Sequence, residues 1–139
     1  MTTLVALLRG VNVVPAKRVP MAELEIRVPV IVKTLPQVAA IVDELPFRVD
    51  EDHASRCLVA FARDRAALQG LMRLEARVLP AERFAIGAHA AYLLCPGGIR
   101  ASEAAKALLG PVGREITTRN WATTRKLHAL AERIEDGGA

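Results

Sequence analysis

Between Met21 and Lys33 the start of a helix runs directly into a strand. Met21-Ala22-Glu23-Leu24 reads as the opening turn of a helix, yet Ile26 to Lys33 (IRVPVIVK) is β-branched and strand-like, so that helix is given no length. Pro29 marks this strand for an edge position or a bulge. Upstream, Thr3 to Leu8 is a short apolar strand, followed by a loop at Arg9-Gly10 that Pro15 and Pro20 punctuate. A parallel partner for that first strand would need a crossover of about a dozen or more residues containing a helix, and Arg9 to Ile26 shows no helical period. The N-terminal unit therefore reads as incomplete, with an apolar strand short of partners.

Beyond this point the pattern is orderly. Thr34 caps a helix through about Leu45, with Leu35, Val38, Ala39, Val42 and Leu45 at helical spacing, Pro36 in its first turn and Pro46 as its stop. The acidic run Asp50-Glu51-Asp52 reads as loop, Arg56 to Ala62 as a strand, and Asp64 as the start of a helix through about Leu74. Arg83 to Ile86 and Ala91 to Cys95 flank Gly87 as a hairpin. The Pro96-Gly97-Gly98 turn leads to a helix from about Ala101 to Leu109, ended by Gly110 and Pro111. Arg114 to Thr118 is a short closing strand before a last helix from Asn120 to about Ile134. The order βαβ, an extra helix, ββ, α, β, α predicts an α+β open sandwich of ferredoxin-like type, one sheet with helices packed on one face. Residues 1–25 are expected to be the remnant of an N-terminal unit and 26–139 the ferredoxin-like domain.

A chain of 139 residues that is 52% hydrophobic and 24% charged can bury one core and is neither disordered nor of low complexity. Its apolar runs fall well short of the ~20 residues of a spanning helix, and MTTLVALLRG lacks the positive start of a signal peptide. A cytoplasmic protein with no membrane association is expected. Cys57 and Cys95 belong to no CxxC or Cys/His cluster and read as buried free thiols, and nothing in the chain calls for a metal or a cofactor. The net charge of +4 is concentrated: Arg114, Arg119, Arg125 and Lys126 face a single acid, Glu115, in residues 114–126. Clustering of that kind favours an anionic partner.

Two separated stretches, ALLRGVNV (Ala6 to Val13) with Lys17 and MAEL, and TTRNW followed by Lys126-Leu127, resemble the bacterial family catalogued as domain of unknown function 1697. ERFAIGAHAAYLLCPGGI in the second half is similar to that family's strand, hairpin and turn. The resemblance implies an α+β fold of ferredoxin-like units and brings no established activity. Members of the family continue after MAEL with the rest of a helix, a strand and a Ser-Gly-Asn turn that this chain lacks. The helix start after the glycine turn is also altered, to Ile99-Arg100-Ala101-Ser102-Glu103.

Three places carry candidate chemistry. In the loop Arg9-Gly10-Val11-Asn12, with Lys17 and Arg18, glycine allows backbone amides to approach an anion and the cations supply charge, although no Walker or dinucleotide motif is present; the alternative is a structural turn that Arg9 and Asn12 tie down by hydrogen bonds. Gly97-Gly98 before a helix carrying Arg100 and Lys106 is a second anion site by the helix-terminus argument, with a plain turn as its alternative. In Thr118-Arg119-Asn120-Trp121, Asn120 is a good N-cap, and Leu127, Leu130, Ala131 and Ile134 form the buried stripe of the helix that follows. Arg119, Lys126 and Arg133 then fall on one flank and Trp121 and His128 on the other, an arrangement suited to phosphate contact and base stacking. The alternative is a tryptophan closing the core beside a solvated basic flank.

Catalytic groups are sparse: His53, His89 and His128 are scattered, and no orienting group accompanies His89 and Cys95. The expected function is a non-catalytic domain that binds an anionic ligand or nucleic acid through Arg9, Gly10, Asn12, Lys17, Arg119, Asn120, Trp121 and Lys126. The alternatives are an enzyme or small-molecule-binding protein acting on a phosphate-containing ligand, and a truncated relic with only a structural role. A monomer is expected, or a weak homodimer through the first strand, whose exposed edge would be a template for pairing.

Overall fold

The computed structural model describes residues 4–8, 11–13, 30–110 and 116–137. The expectations that fall on Thr3, Arg9-Gly10, Pro15 to Pro29, Arg114-Glu115 and the last two residues lie outside these. Among the described residues seven strands, β1 (Leu4–Leu8), β2 (Val11–Val13), β3 (Val30–Thr34), β4 (Cys57–Ala62), β5 (Arg83–Ile86), β6 (Ala90–Leu94) and β7 (Ile116–Asn120), form two sheets. The α-helices among the described residues are α1 (Leu35–Asp43), α2 (Arg65–Gln69), α3 (Glu103–Leu109) and α4 (Trp121–Gly137).

The first sheet has the order β2-β1-β3, antiparallel throughout. β1 is thus its central strand, with Leu4 opposite Thr34 and Leu8 opposite both Val30 and Val11. The expectation of a first strand short of partners is overturned: Val11 to Val13, read as loop, pairs along one side and β3 along the other. This pairing also joins chain on both sides of residue 25.

Strand-to-helix junctions follow the sequence closely. Thr34 ends β3 and caps α1 in a capping box: its hydroxyl accepts from the Gln37 amide at 3.3 Å, and its own amide donates to the Gln37 side chain at 2.9 Å. Asp64 caps α2 by accepting from the Ala67 amide at 2.8 Å. The helix it begins keeps α geometry only to Gln69 and tightens into a 3-10 helix over Gly70–Arg77. The buried residues Leu68, Leu71 and Leu74 recur every third position, and three residues per turn puts all three on one line. Glu51–Arg56, whose start was expected to be loop, is also a 3-10 helix. Gly98, with φ 103°, closes the turn after β6 in a backbone conformation that side chains resist.

The second sheet is antiparallel, ordered β5-β6-β4-β7. Its elements come in the sequence β4, α2, β5, β6, α3, β7. The α+β class is as expected, but helices do not pack on one face only. Cys57, Val59 and Phe61 of β4 and Tyr92 of β6 meet Val5, Leu7 and Ile31 of the first sheet, Val38 and Ile41 of α1, and Trp121, Leu127 and Ala131 of α4. Leu58, Ala60, Ala62 and Leu93 turn the other way, onto Leu68, Leu71, Leu74 and α3. Every residue of β4 and β6 is buried as a result. The Tyr92 hydroxyl donates to the Ile41 carbonyl at 2.5 Å, satisfying one of the carbonyls that the end of α1 leaves without a helical partner.

Candidate functional site

β7 and α4 hold the expected basic cluster, and strand alternation rearranges it. Arg119 lies on β7 opposite Val59, so it shares the face that Val59 turns toward the first sheet, α1 and α4. It is 7% exposed, and its guanidinium donates to the Thr117 hydroxyl at 2.8 Å and to the Thr118 carbonyl at 2.7 Å. Burial pulls its pKa down. The helical projection that put Arg119 on the flank of Lys126 treated a strand residue as a helical one.

Asn120 is the N-cap that was expected, accepting from the Thr123 amide at 2.8 Å, while its carbonyl accepts from the Thr124 hydroxyl at 2.9 Å. Trp121 is not an exposed stacking platform: at 7% exposure it belongs to the core between the two sheets. Side chains in a helix lean toward its N-terminus, so an indole on the first residue lies back over the preceding strand. Arg125 sits 5.9 Å from the indole centroid and makes a two-pronged ion pair with Glu51, at 2.8 and 3.1 Å. The Glu51 carboxyl is held below its usual range by that hydrogen bond first and by the Arg125 charge second.

Lys126 and Arg133 remain as exposed cations of α4, one heptad apart, and neither forms an ion pair among the described residues. Leu127 and Ala131 are buried as expected, while Leu130 and Ile134 are half-buried. Arg9, Gly10 and Lys17 lie outside the described residues. Asn12 is placed by its backbone alone, in β2 opposite Leu7. The Gly97-Gly98 site is not assembled: a 3-10 turn over Ile99–Ala101 intervenes, Ser102 caps α3 by accepting from the Ala105 amide at 3.1 Å, and Lys106 approaches Glu103 at 3.5 Å.

The sequence reading missed Lys33. It lies opposite Val5 on the inner face of the first sheet and is 7% exposed, and burial pulls its pKa down against the opposing pull of Asp64. The signal was in the alternation, which puts Lys33 in phase with buried Ile31. The two thiols are buried, and burial pushes Cys57 up to about 12 and Cys95 upward as well. Among the described residues, no three His, Cys, Asp or Glu side chains gather as a metal ion would need. Nor is any of the helices long and apolar enough to cross a membrane.

A mixed α+β chain with antiparallel sheets is the class these features define. The family described as "Protein of unknown function (DUF1697)" matches residues 23–92, half of the chain, and the chain belongs to it. ALLRGVNV and TTRNW, which carried the resemblance, lie outside the matched span, whereas much of the hairpin lies inside it. The fold is similar to that of the conserved bacterial protein SP0830 from Streptococcus pneumoniae, with a TM-score of 0.65 at 20% identity over 94% of this chain and 98% of that one. No curated protein matches the sequence.

Proposed function

We propose that this protein is a non-catalytic binding module for a phosphate-bearing partner, recognised by charge on the exposed flank of α4. Lys126 and Arg133, exposed, one heptad apart and without ion pairs among the described residues, are the observation that carries this reading. Arg125 is committed to Glu51, and Trp121 is buried, so contact is to phosphate and not to stacked bases. Arg9, Gly10, Asn12 and Lys17 are proposed as the second half of the contact. The order βαββαβ over residues 57–120, with strand order β5-β6-β4-β7, supports a ferredoxin-like reading for that unit. Unpaired Cys57 and Cys95 suit the reducing cytoplasm.

Fluorescence anisotropy with a mixed-sequence single-stranded oligonucleotide and with inorganic polyphosphate, each at two salt concentrations, tests the proposal. Both probes are expected to bind at low salt and to weaken linearly on a logarithmic salt scale. Replacing Lys126 and Arg133 with alanine should reduce the oligonucleotide slope by roughly 1.4, the share of two phosphate contacts. Absence of binding to either probe at low salt overturns the reading.

A further inference from the structure

The strand order of the second sheet leaves β5 at one end, with its far side unpaired among the described residues. The Gly87 amide donates to the Ala90 carbonyl at 2.7 Å, so in this antiparallel ladder Ala85 and Arg83 also turn their backbone groups toward β6. Phe84 and Ile86 therefore present N–H and C=O outward. Along this edge runs an open groove of about 510 Å3, within the ~300–1,000 Å3 typical of ligand sites. Its walls come from both layers. Pro46 and Phe47 stand on the side of the core between the sheets, and Glu75 and Val78 on the side of the Leu71 and Leu74 core.

Charge identifies the occupant. The chain carries +4 overall, yet the groove holds Glu75 and Glu82 against Arg83 alone, and the Glu44 carboxylate stands beside Gly87 just past the other end of β5. Glu82 is largely buried, with its carboxylate accepting from the Leu79 amide at 2.9 Å. Glu75 is exposed and forms no ion pair among the described residues. A second copy would bring the same surplus of carboxylates to a four-residue edge, where stable interfaces engage about 20–30 residues a side. An extended peptide laid on β5 would turn alternate side chains to the Pro46-Phe47 wall and to the Glu75-Val78 wall. We propose that the β5 edge binds an extended basic peptide segment, with apolar and Lys or Arg residues alternating, as a fifth strand of this sheet. This surface is independent of the basic flank of α4 and opposite to it in charge.

The test is fluorescence anisotropy of the full chain with labelled hexapeptides. One alternates valine and lysine, a second alternates valine and glutamate, and two further lysine peptides are N-methylated at one or the other set of alternate amides. The lysine peptide is expected to saturate and the glutamate peptide to show no binding. One phase of N-methylation should abolish binding and the other should preserve it, because only one set of amides faces β5. Glu75→Lys, at an exposed position, should keep the parent's circular dichroism and weaken the lysine peptide about threefold to tenfold. Equal binding of the two charge types, indifference to both N-methylation phases, or no effect of Glu75→Lys overturns the proposal. So does failure of the lysine peptide to bind while light scattering shows a homodimer, since a second copy would then hold the edge.

Discussion

In β4 every residue from Cys57 to Ala62 is buried, whereas in β1 Val5 and Leu7 are 1% and 0% exposed and Leu4 between solvent and sheet is 46% exposed. β3 repeats the pattern of β1, with Ile31 at 2% and Val32 at 46%. The strands of both sheets are written in the same apolar alphabet, LVALL and VIVKT against CLVAFA and AAYLL. Only the number of covered faces differs: α2, α3 and the Gly70–Arg77 helix cover one side of the second sheet, while the first sheet, α1 and α4 cover the other. An apolar run thus reports that a strand is buried on at least one face, and it takes the packing partners to say whether there are two.

The contrast can be broken most forcefully in the layer the two sheets share. Leu127 of α4 is buried there, and Leu127→Asp places an unpaired carboxylate among Trp121, Tyr92 and their neighbours. It should cost several kcal/mol beyond the ~2–5 kcal/mol of simple truncation, whereas exposed Lys126→Glu should stay within about 0.5 kcal/mol in urea denaturation. Equal losses would mean that α4 presents a different face to the core.

Next in size is the comparison itself. Leu93→Ala, in the doubly covered sheet, should cost about 2–5 kcal/mol, and Leu4→Ala, on the outer face of the first sheet, within about 0.5 kcal/mol. A large loss at Leu4 would show that the outer face is covered in solution.

Lys33 sharpens the contrast from the polar side. Its folded pKa lies below the ordinary 10.5, so between those two values the folded chain holds fewer protons than the unfolded one and stability rises with pH. At neutral pH the charge is a burden on the first sheet. Lys33→Met should therefore raise the denaturation midpoint at pH 7, with the advantage shrinking as pH climbs toward 10.5. A lower midpoint at pH 7, with the deficit fading as pH climbs past 10.5, would show that the attraction of Asp64 outweighs burial.

The smallest effect belongs to Glu51 and Arg125, which tie the Glu51–Arg56 helix to α4 at the surface. The depressed Glu51 pKa contributes stability above the free value of 4.5 that is lost as pH falls through the folded value. Glu51→Gln should lower the midpoint slightly in dilute buffer, and ~1 M salt should erase the difference. A loss that persists in high salt would point to packing in place of charge.

Local chemistry was legible and layering was not. Thr34, Asp64 and Asn120 announced three helix starts because a cap needs only a side-chain oxygen within three residues of the amide it serves. Gly87 announced the hairpin. β2 was hidden, since three residues after Arg9-Gly10 carry no periodicity and gain a partner only from β1. At the candidate site, Lys126 was placed correctly on the surface, whereas Arg119 was projected onto a helix that begins only at Trp121. Alternation along β7 turns Arg119 inward beside Thr117, and the lean of helical side chains folds the indole back over the sheet.

Thr34 and Asn120 each serve as the last ladder residue of a strand and the first anchor of a helix, leaving no spacer between them. One residue inserted at either junction would rotate the following helix by about 100° against a strand whose register cannot slip without exchanging its faces. Length variation of this chain must therefore be absorbed elsewhere, in turns such as Leu45 to Asp50, and both junctions should tolerate substitution far better than insertion.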